Sequence, residues 1–195
     1  MTKKLKWVGD LSTADVSVLI NFANHGDILE FGSGGSTLIF SQMGAKSVVS
    51  VETNKDWIAL TQERLGTLDS ICPVSFKDYN SDWSNIYDVI FVDGIDEHRC
   101  DFAITSWKFL KPNGVMLFHD TRLYHNFQHV VWVAQLNYQE VSGIAVNINN
   151  SNITSLTKRE KPLFYENWNE IENKPKWAYG IPDGVERTRL WTEEN

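Results

Sequence analysis

The sequence predicts a doubly wound α/β fold, a mostly parallel sheet with helices on both faces. Three observations predict it. Short runs of apolar and β-branched residues, such as "DILEF", "SVVSVE" and "YDVIFVDG", stop at glycine or an acid, as buried parallel strands do. Segments with apolar residues at helical spacing lie between them, giving the strand–helix alternation of stacked βαβ units. Two close-set strand-like stretches near residue 150 predict an antiparallel hairpin at one edge.

The elements follow in order. "STADVSVLINFAN" places Val16, Leu19, Ile20 and Ala23 on one helical face, and Ser12 with Asp15 forms a capping box. His25 and Gly26 break that helix, and Ile28 to Phe31 is the first strand. After "GSGG" the spacing predicts a helix over Ser36–Met43, then a strand over Ser47–Glu52, which completes one βαβ unit. Asp56 to Leu65 has helical spacing, "CPVSFKDY" alternates as a strand, and Tyr87 to Gly94 is a continuous apolar strand. A helix through Phe102 to Leu110 is expected to end at the turn "KPNG", before the strand "VMLFHD". The helix-like "NFQHVVWVAQLN" and the pair "YQEVSGIAVNI" and "ITSLTKR" complete seven strands.

Domain count follows from length and texture. At 195 residues the chain is read as one domain over 1–161 with an extension over 162–195. The extension interleaves Pro162, Pro175 and Pro182 with Phe164, Tyr165, Trp168, Trp177, Tyr179 and Trp191, and it lacks the periodic segments of a second core. It is expected to wrap the sheet domain, cover a site or meet a second copy in a homo-oligomer. A formal charge of −7, with only Lys3, Lys4 and Lys6 as a dense basic group, argues against a nucleic-acid partner. No run of about 18 apolar residues argues for a membrane span. Cys72 and Cys100 make no disulfide framework and no metal-type spacing, so a reducing, cytoplasmic setting is expected.

The turn "EFGSGGST" is the first candidate site. A phosphate-gripping loop needs a Lys followed by Ser or Thr after its second glycine, and neither Gly34 nor Gly35 has one. A dinucleotide turn places a third glycine where Thr37 stands. What remains is the acid Glu30 followed by Gly32, Ser33, Gly34, Gly35 and Ser36, a turn that lets a ligand approach the backbone beside a helix N-terminus.

On these residues the sequence resembles class I S-adenosylmethionine-dependent methyltransferases, whose first motif is an acid followed by Gly-x-Gly. Further marks stand in family order over about Ile28 to Asp120. Glu52 ends the second strand where the family holds the ribose hydroxyls, and Asp78 sits where it often contacts the adenine amino group. Asp93 ends the fourth strand at the usual floor of the reaction site, and "LKPNGVMLFHD" is similar to the family's fifth-strand segment. The resemblance implies a Rossmann-like methyltransferase sheet, S-adenosylmethionine (SAM) as cofactor, and Glu30, Gly32 to Ser36, Glu52, Asp78 and Asp93 as its binding residues.

Asp93 and Asp120 both end apolar strands at the carboxyl edge, where open α/β sheets bind ligands. Two carboxylates can hold Mg²⁺, similar to the catechol-type and caffeoyl-type O-methyltransferases. Those enzymes carry Asn where Thr121 stands, and a lysine where Asp96 stands. The alternative base is a histidine titrating near neutrality, His98 or His119. The candidate catalytic residues are therefore Asp93, His98, His119 and Asp120. Arg99 and Arg122 either pair with an acidic substrate or only with neighbouring acids. The leading expectation is methyl transfer to an oxygen of a small polar acceptor. A SAM- or nucleotide-binding interaction module without transfer activity, and an NAD-dependent oxidoreductase, are the other readings.

Overall fold

The computed structural model describes Leu5 and residues 7–24, 26–69 and 71–162. The aromatic extension expected over 162–195 lies outside the described residues from 163 onward. Within them the chain forms one seven-stranded sheet in the order β3-β2-β1-β4-β5-β7-β6. The strands are β1 (Asp27–Phe31), β2 (Ser47–Val51), β3 (Val74–Lys77), β4 (Tyr87–Val92), β5 (Leu110–Phe118), β6 (Val141–Ala145) and β7 (Thr154–Lys158). β1 to β5 are parallel; β7 runs antiparallel to β5, and β6 antiparallel to β7. This is the doubly wound sheet with an antiparallel edge that the sequence predicts.

The helices are α1 (Thr13–Ala23), α2 (Gly35–Gln42), α3 (Lys55–Gly66), α4 (Asp96–Ser106) and α5 (Tyr124–Leu136). Side chains alternate across each strand, so two cores form. Leu29, Phe31, Ile90, Val92, Met116 and Phe118 pack under Phe102 and Ala103 of α4 and Phe127, Val130 and Val133 of α5. Ile28, Val48, Val89, Phe91 and Leu117 pack against Val18 and Leu19 of α1 and Ile39 and Phe40 of α2. α1 begins where its sequence says: Ser12 is the N-cap and shares a complete capping box with Asp15.

One expectation needs correction. "KPNG" does not separate helix from strand, because β5 already starts at Leu110, paired with Tyr87. The register shifts between Tyr87 and Val89, and Asn113 is left-handed at φ 63°, so the turn residues form an irregularity inside the strand. The preceding helix ends at Ser106, followed by one 3₁₀ turn over Trp107–Phe109.

The strand order fixes the site. From β1 the chain winds outward through β2 and β3, then returns to place β4 on the other side of β1. Their adjacent carboxyl ends form the topological switch point, the crevice where such sheets take ligands. Gly32 follows β1 and Asp93 follows β4 at this point.

Candidate active site

A cavity of about 480 Å³ opens there. Gly32, Ser33, Gly34, Gly35, Ser36, Glu52, Asp93, His119 and Asp120 all line it, so it unites most of the sequence candidates. The backbone explains the glycines. Gly32 has φ 93°, and a Cβ there would stand 2.7 Å from the Asp93 carbonyl oxygen, so only glycine lets β1 and β4 end this close together. A Cβ on Gly35 would stand 2.3 Å from the Val8 carbonyl oxygen, because the segment Val8–Leu11 lies across the turn and lines the cavity with it.

Glu30 supports the turn from below. It is fully buried and does not line the cavity. Ser36 Oγ donates to its Oε2 at 2.9 Å and Thr37 Oγ1 donates to its Oε1; Thr37 Oγ1 in turn accepts from the Gly34 N–H at 2.9 Å. The carboxyl therefore anchors the turn and the first residues of α2. Burial, opposed by the Thr37 and Ser36 hydroxyls, pushes its pKa up to about 7.

Glu52 does reach the cavity. It is 8% exposed, and its carboxylate accepts N–H bonds from Thr53 at 2.8 Å, Asn54 at 2.9 Å and Ser33 at 3.2 Å. It thus ties the glycine turn to the end of β2. Asp78 and His98 stand apart. Asp78 is an exposed turn residue whose Oδ1 accepts from the Asn80 N–H, and His98 sits beside the Tyr79 and Phe102 rings. Neither lines the cavity.

The floor is a charged network. Asp93 Oδ1 is 3.0 Å from His119 Nδ1 and 3.2 Å from Arg99 Nη2. Asp120 Oδ2 is 3.3 Å from Arg99 Nη1, and its Oδ1 accepts from Asn152 Nδ2 at 3.1 Å. Arg99 Nε also donates to the Gly94 carbonyl at 2.7 Å and pairs with Asp96 at 3.1 Å. Asp120 is held left-handed at φ 56°, the kind of backbone strain that clusters at functional sites.

His119 lies at the centre of this network. Its Nε2 lies 3.7 Å from the buried Asp15 carboxylate, so the ring is enclosed by three acids. Burial alone would lower its pKa, but Asp120, Asp15 and Asp93 outweigh burial and push it up to about 12. The three acids thus favour the protonated ring, with Nδ1 engaged by Asp93 and Nε2 directed toward Asp15.

The expected Mg²⁺ meets an obstacle there. Ligand atoms of Asp93, His119 and Asp120 lie within 4.8 Å of one another, close enough for a metal. Mg²⁺ demands oxygen donors free to form an octahedron, whereas both carboxylates here already bind the Arg99 guanidinium and the third group is a nitrogen donor. The donor set does not fit the ion.

The sequence reads Asp15 only as a helix cap and Arg99 only as a partner of an acidic substrate or of neighbouring acids, and it gives no sign of Asn152 or the Val8–Leu11 strap in the site. Nothing local shows that Asp120 folds back onto Arg99. Trp57 also lines the cavity and donates from Nε1 to the Ser33 carbonyl. Three buried polar atoms of cavity-lining residues, Ser33 Oγ, His119 Nε2 and Asn152 Oδ1, have no hydrogen-bond partner among the described residues. Buried polar atoms are normally satisfied, so these three leave the cavity wall with unmet hydrogen-bonding capacity.

The sheet order and the glycine turn at its switch point give this α/β domain the fold of the class I SAM-dependent methyltransferases. Residues 29–121, from β1 to just past β5, match a family described as a methyltransferase domain. Among solved structures, a methyltransferase-like protein from Silicibacter pomeroyi superposes with a TM-score of 0.60 at 16% identity, covering 82% of this chain and 92% of that one. An O-methyltransferase from Bacillus cereus in complex with SAH gives 0.55 at 17% identity over 76% and 83%. The O-methyltransferase TomG from Streptomyces achromogenes, involved in tomaymycin synthesis and in complex with SAM, gives 0.59 at 14% identity over 76% and 81%. No curated protein matches the sequence.

Proposed function

We propose that the chain is a SAM-dependent methyltransferase that methylates an oxygen of a small polar acceptor. One observation carries the reading: a single cavity at the switch point is walled on one side by the Gly32–Ser36 turn and Glu52, and on the other by Asp93 and Asp120. The first wall suits an amino acid joined to a ribose. Backbone N–H groups without Cβ cover lie at the N-terminus of α2, and Ser33 Oγ is unpaired. Glu52 is the acceptor for ribose hydroxyls, and Trp57 offers an aromatic face beside it.

When bound, SAM supplies an electrophilic methyl group on a sulfonium. The remaining tasks belong to the chain. Methyl transfer is an in-line displacement, so its main demand is that an acceptor lone pair be held close and aligned. Asp93 Oδ1 is engaged by Arg99 and His119, whereas Oδ2 has no partner among the described residues. Oδ2 is therefore the atom that accepts a hydrogen bond from the acceptor hydroxyl and receives its proton. The cavity lies within one small domain, and no helix of the described residues is long and apolar enough to cross a membrane. A small metabolite fits that setting better than a polyanion would, given the acidic chain. The two cysteines, Cys72 and Cys100, are free, in keeping with a cytoplasmic site of action.

Calorimetric titration with SAM, S-adenosylhomocysteine and NAD tests the cofactor. Micromolar binding of the first two and none of NAD is expected, and a well-folded sample that binds neither sulfur compound ends the reading. Once an acceptor is found, Asp93→Asn should lower kcat by about 100-fold or more with SAM affinity nearly unchanged. Full turnover in that variant would remove Asp93 from the chemistry.

A further inference from the structure

We propose that Arg99 is the built-in cation of this site, a positioning residue whose guanidinium holds Asp93 and Asp120 in the place where a divalent ion would bridge them. Three observations carry this. Arg99 is only 8% exposed although it stands near the first turn of α4, so its charge is committed inward. Its three nitrogens are all engaged: Nε with Gly94 O and Asp96, Nη1 with Asp120, and Nη2 with Asp93 and Asp120. It thus joins the ends of β4 and β5 from one rigid, planar, always-charged group. A two-carboxylate site that must neutralise its own repulsion can do so with a metal or with a fixed side chain, and this chain carries the side chain.

The consequence reaches the acceptor. A metal selects substrates that chelate it through two adjacent oxygens. A guanidinium already saturated by carboxylates chelates nothing, so recognition falls to single hydrogen bonds at Asp93 Oδ2 and Asn152 Oδ1. The acceptor class is then a compound offering one nucleophilic hydroxyl and a separate hydrogen-bond donor, in place of a vicinal diol. This last step rests on the methyltransferase reading; the occupation of the cation position does not.

Mn²⁺ is the probe, because its free ion is counted directly by electron paramagnetic resonance. The full-length wild type should leave the free Mn²⁺ signal unchanged up to about millimolar ion, with or without SAM. Arg99→Met, which keeps much of the apolar stem and removes the charge, should bind one Mn²⁺ with Kd near 10⁻⁴ M, in the range of open carboxylate sites. Adding Asp120→Asn to it should abolish that binding. Wild-type binding of one Mn²⁺ at that affinity, lost in Asp120→Asn, overturns the proposal, as does a folded Arg99→Met that binds none. If Arg99→Met does not fold, the wild-type titration decides alone. Failure here with intact SAM binding leaves the methyltransferase reading standing; silence toward Mn²⁺ with no SAM binding defeats that reading and not this one.

Discussion

At the scale of single residues, two charged groups have opposite fates at the same cavity. Glu52 is an acceptor held by three backbone N–H groups, and it also lines the cavity. Glu52→Ala should therefore weaken SAM binding by about 10- to 100-fold, the equivalent of roughly 1.5–3 kcal/mol for lost charge-assisted hydrogen bonds. Calorimetry measures it, and an unchanged Kd removes Glu52 from the cofactor site. His119 is the reverse case, a charge that faces protein. Its folded pKa, about 12, lies above its ordinary 6.5, so its stabilisation is present in full below pH 6.5 and declines as the pH rises toward 12. The gap in unfolding free energy between wild type and His119→Gln should be larger at pH 6 than at pH 9.5. Urea melts at the two pH values measure it; an equal gap means that the ring is not held as an imidazolium.

At the scale of elements, the N-terminus of α1 is part of the site's foundation. Asp15 closes the capping box with Ser12, and the same carboxylate accepts from the Asn152 N–H at 2.6 Å and faces His119. One helix cap thus ties α1 to the loop before β7 and to the end of β5. Burial would raise the Asp15 pKa, but His119, Ser12 and Asn152 together hold it well below the carboxylate range. Its contribution is present above pH 3.8 and is lost as the pH falls toward the folded value. Asp15→Asn should cost about 1–3 kcal/mol at neutral pH, with the gap closing in acid. A pH-independent gap would mean that only the cap's shape matters.

The same helix shows what was legible in the sequence. The capping box, the strand runs and the glycine turn are local patterns, and most elements lie close to where their patterns predict, whereas α4 and β5 both begin earlier, at Asp96 and Leu110. Asp15's second role, Arg99's clamp and the enclosure of His119 depend on partners that the sheet brings together from far along the chain. A residue's own neighbourhood carries no trace of them. The "KPNG" irregularity is an intermediate case: its residues announce the left-handed backbone at Asn113 but not that Leu110 is already paired with Tyr87.

At the scale of the whole molecule, the sheet order makes the site a property of topology. The crevice exists because β4 returns to the far side of β1, and its two walls come from opposite windings of the sheet. Both cores that hold those walls are built from residues before 162: α4 and α5 close one face, α1 and α2 the other. Among the described residues, the cavity lining runs from Val8 to Asn152. We therefore expect the extension over 162–195 to act in acceptor recognition or assembly and not in the sheet or the cofactor wall. A chain ending at residue 161 should unfold cooperatively in urea and bind SAM within about threefold of the full chain, a difference of roughly 0.7 kcal/mol at most. Its turnover or its oligomeric mass should change. If cooperative unfolding survives and SAM binding collapses, the extension closes the cofactor wall itself, and the boundary of the functional domain moves from 161 to the end of the chain.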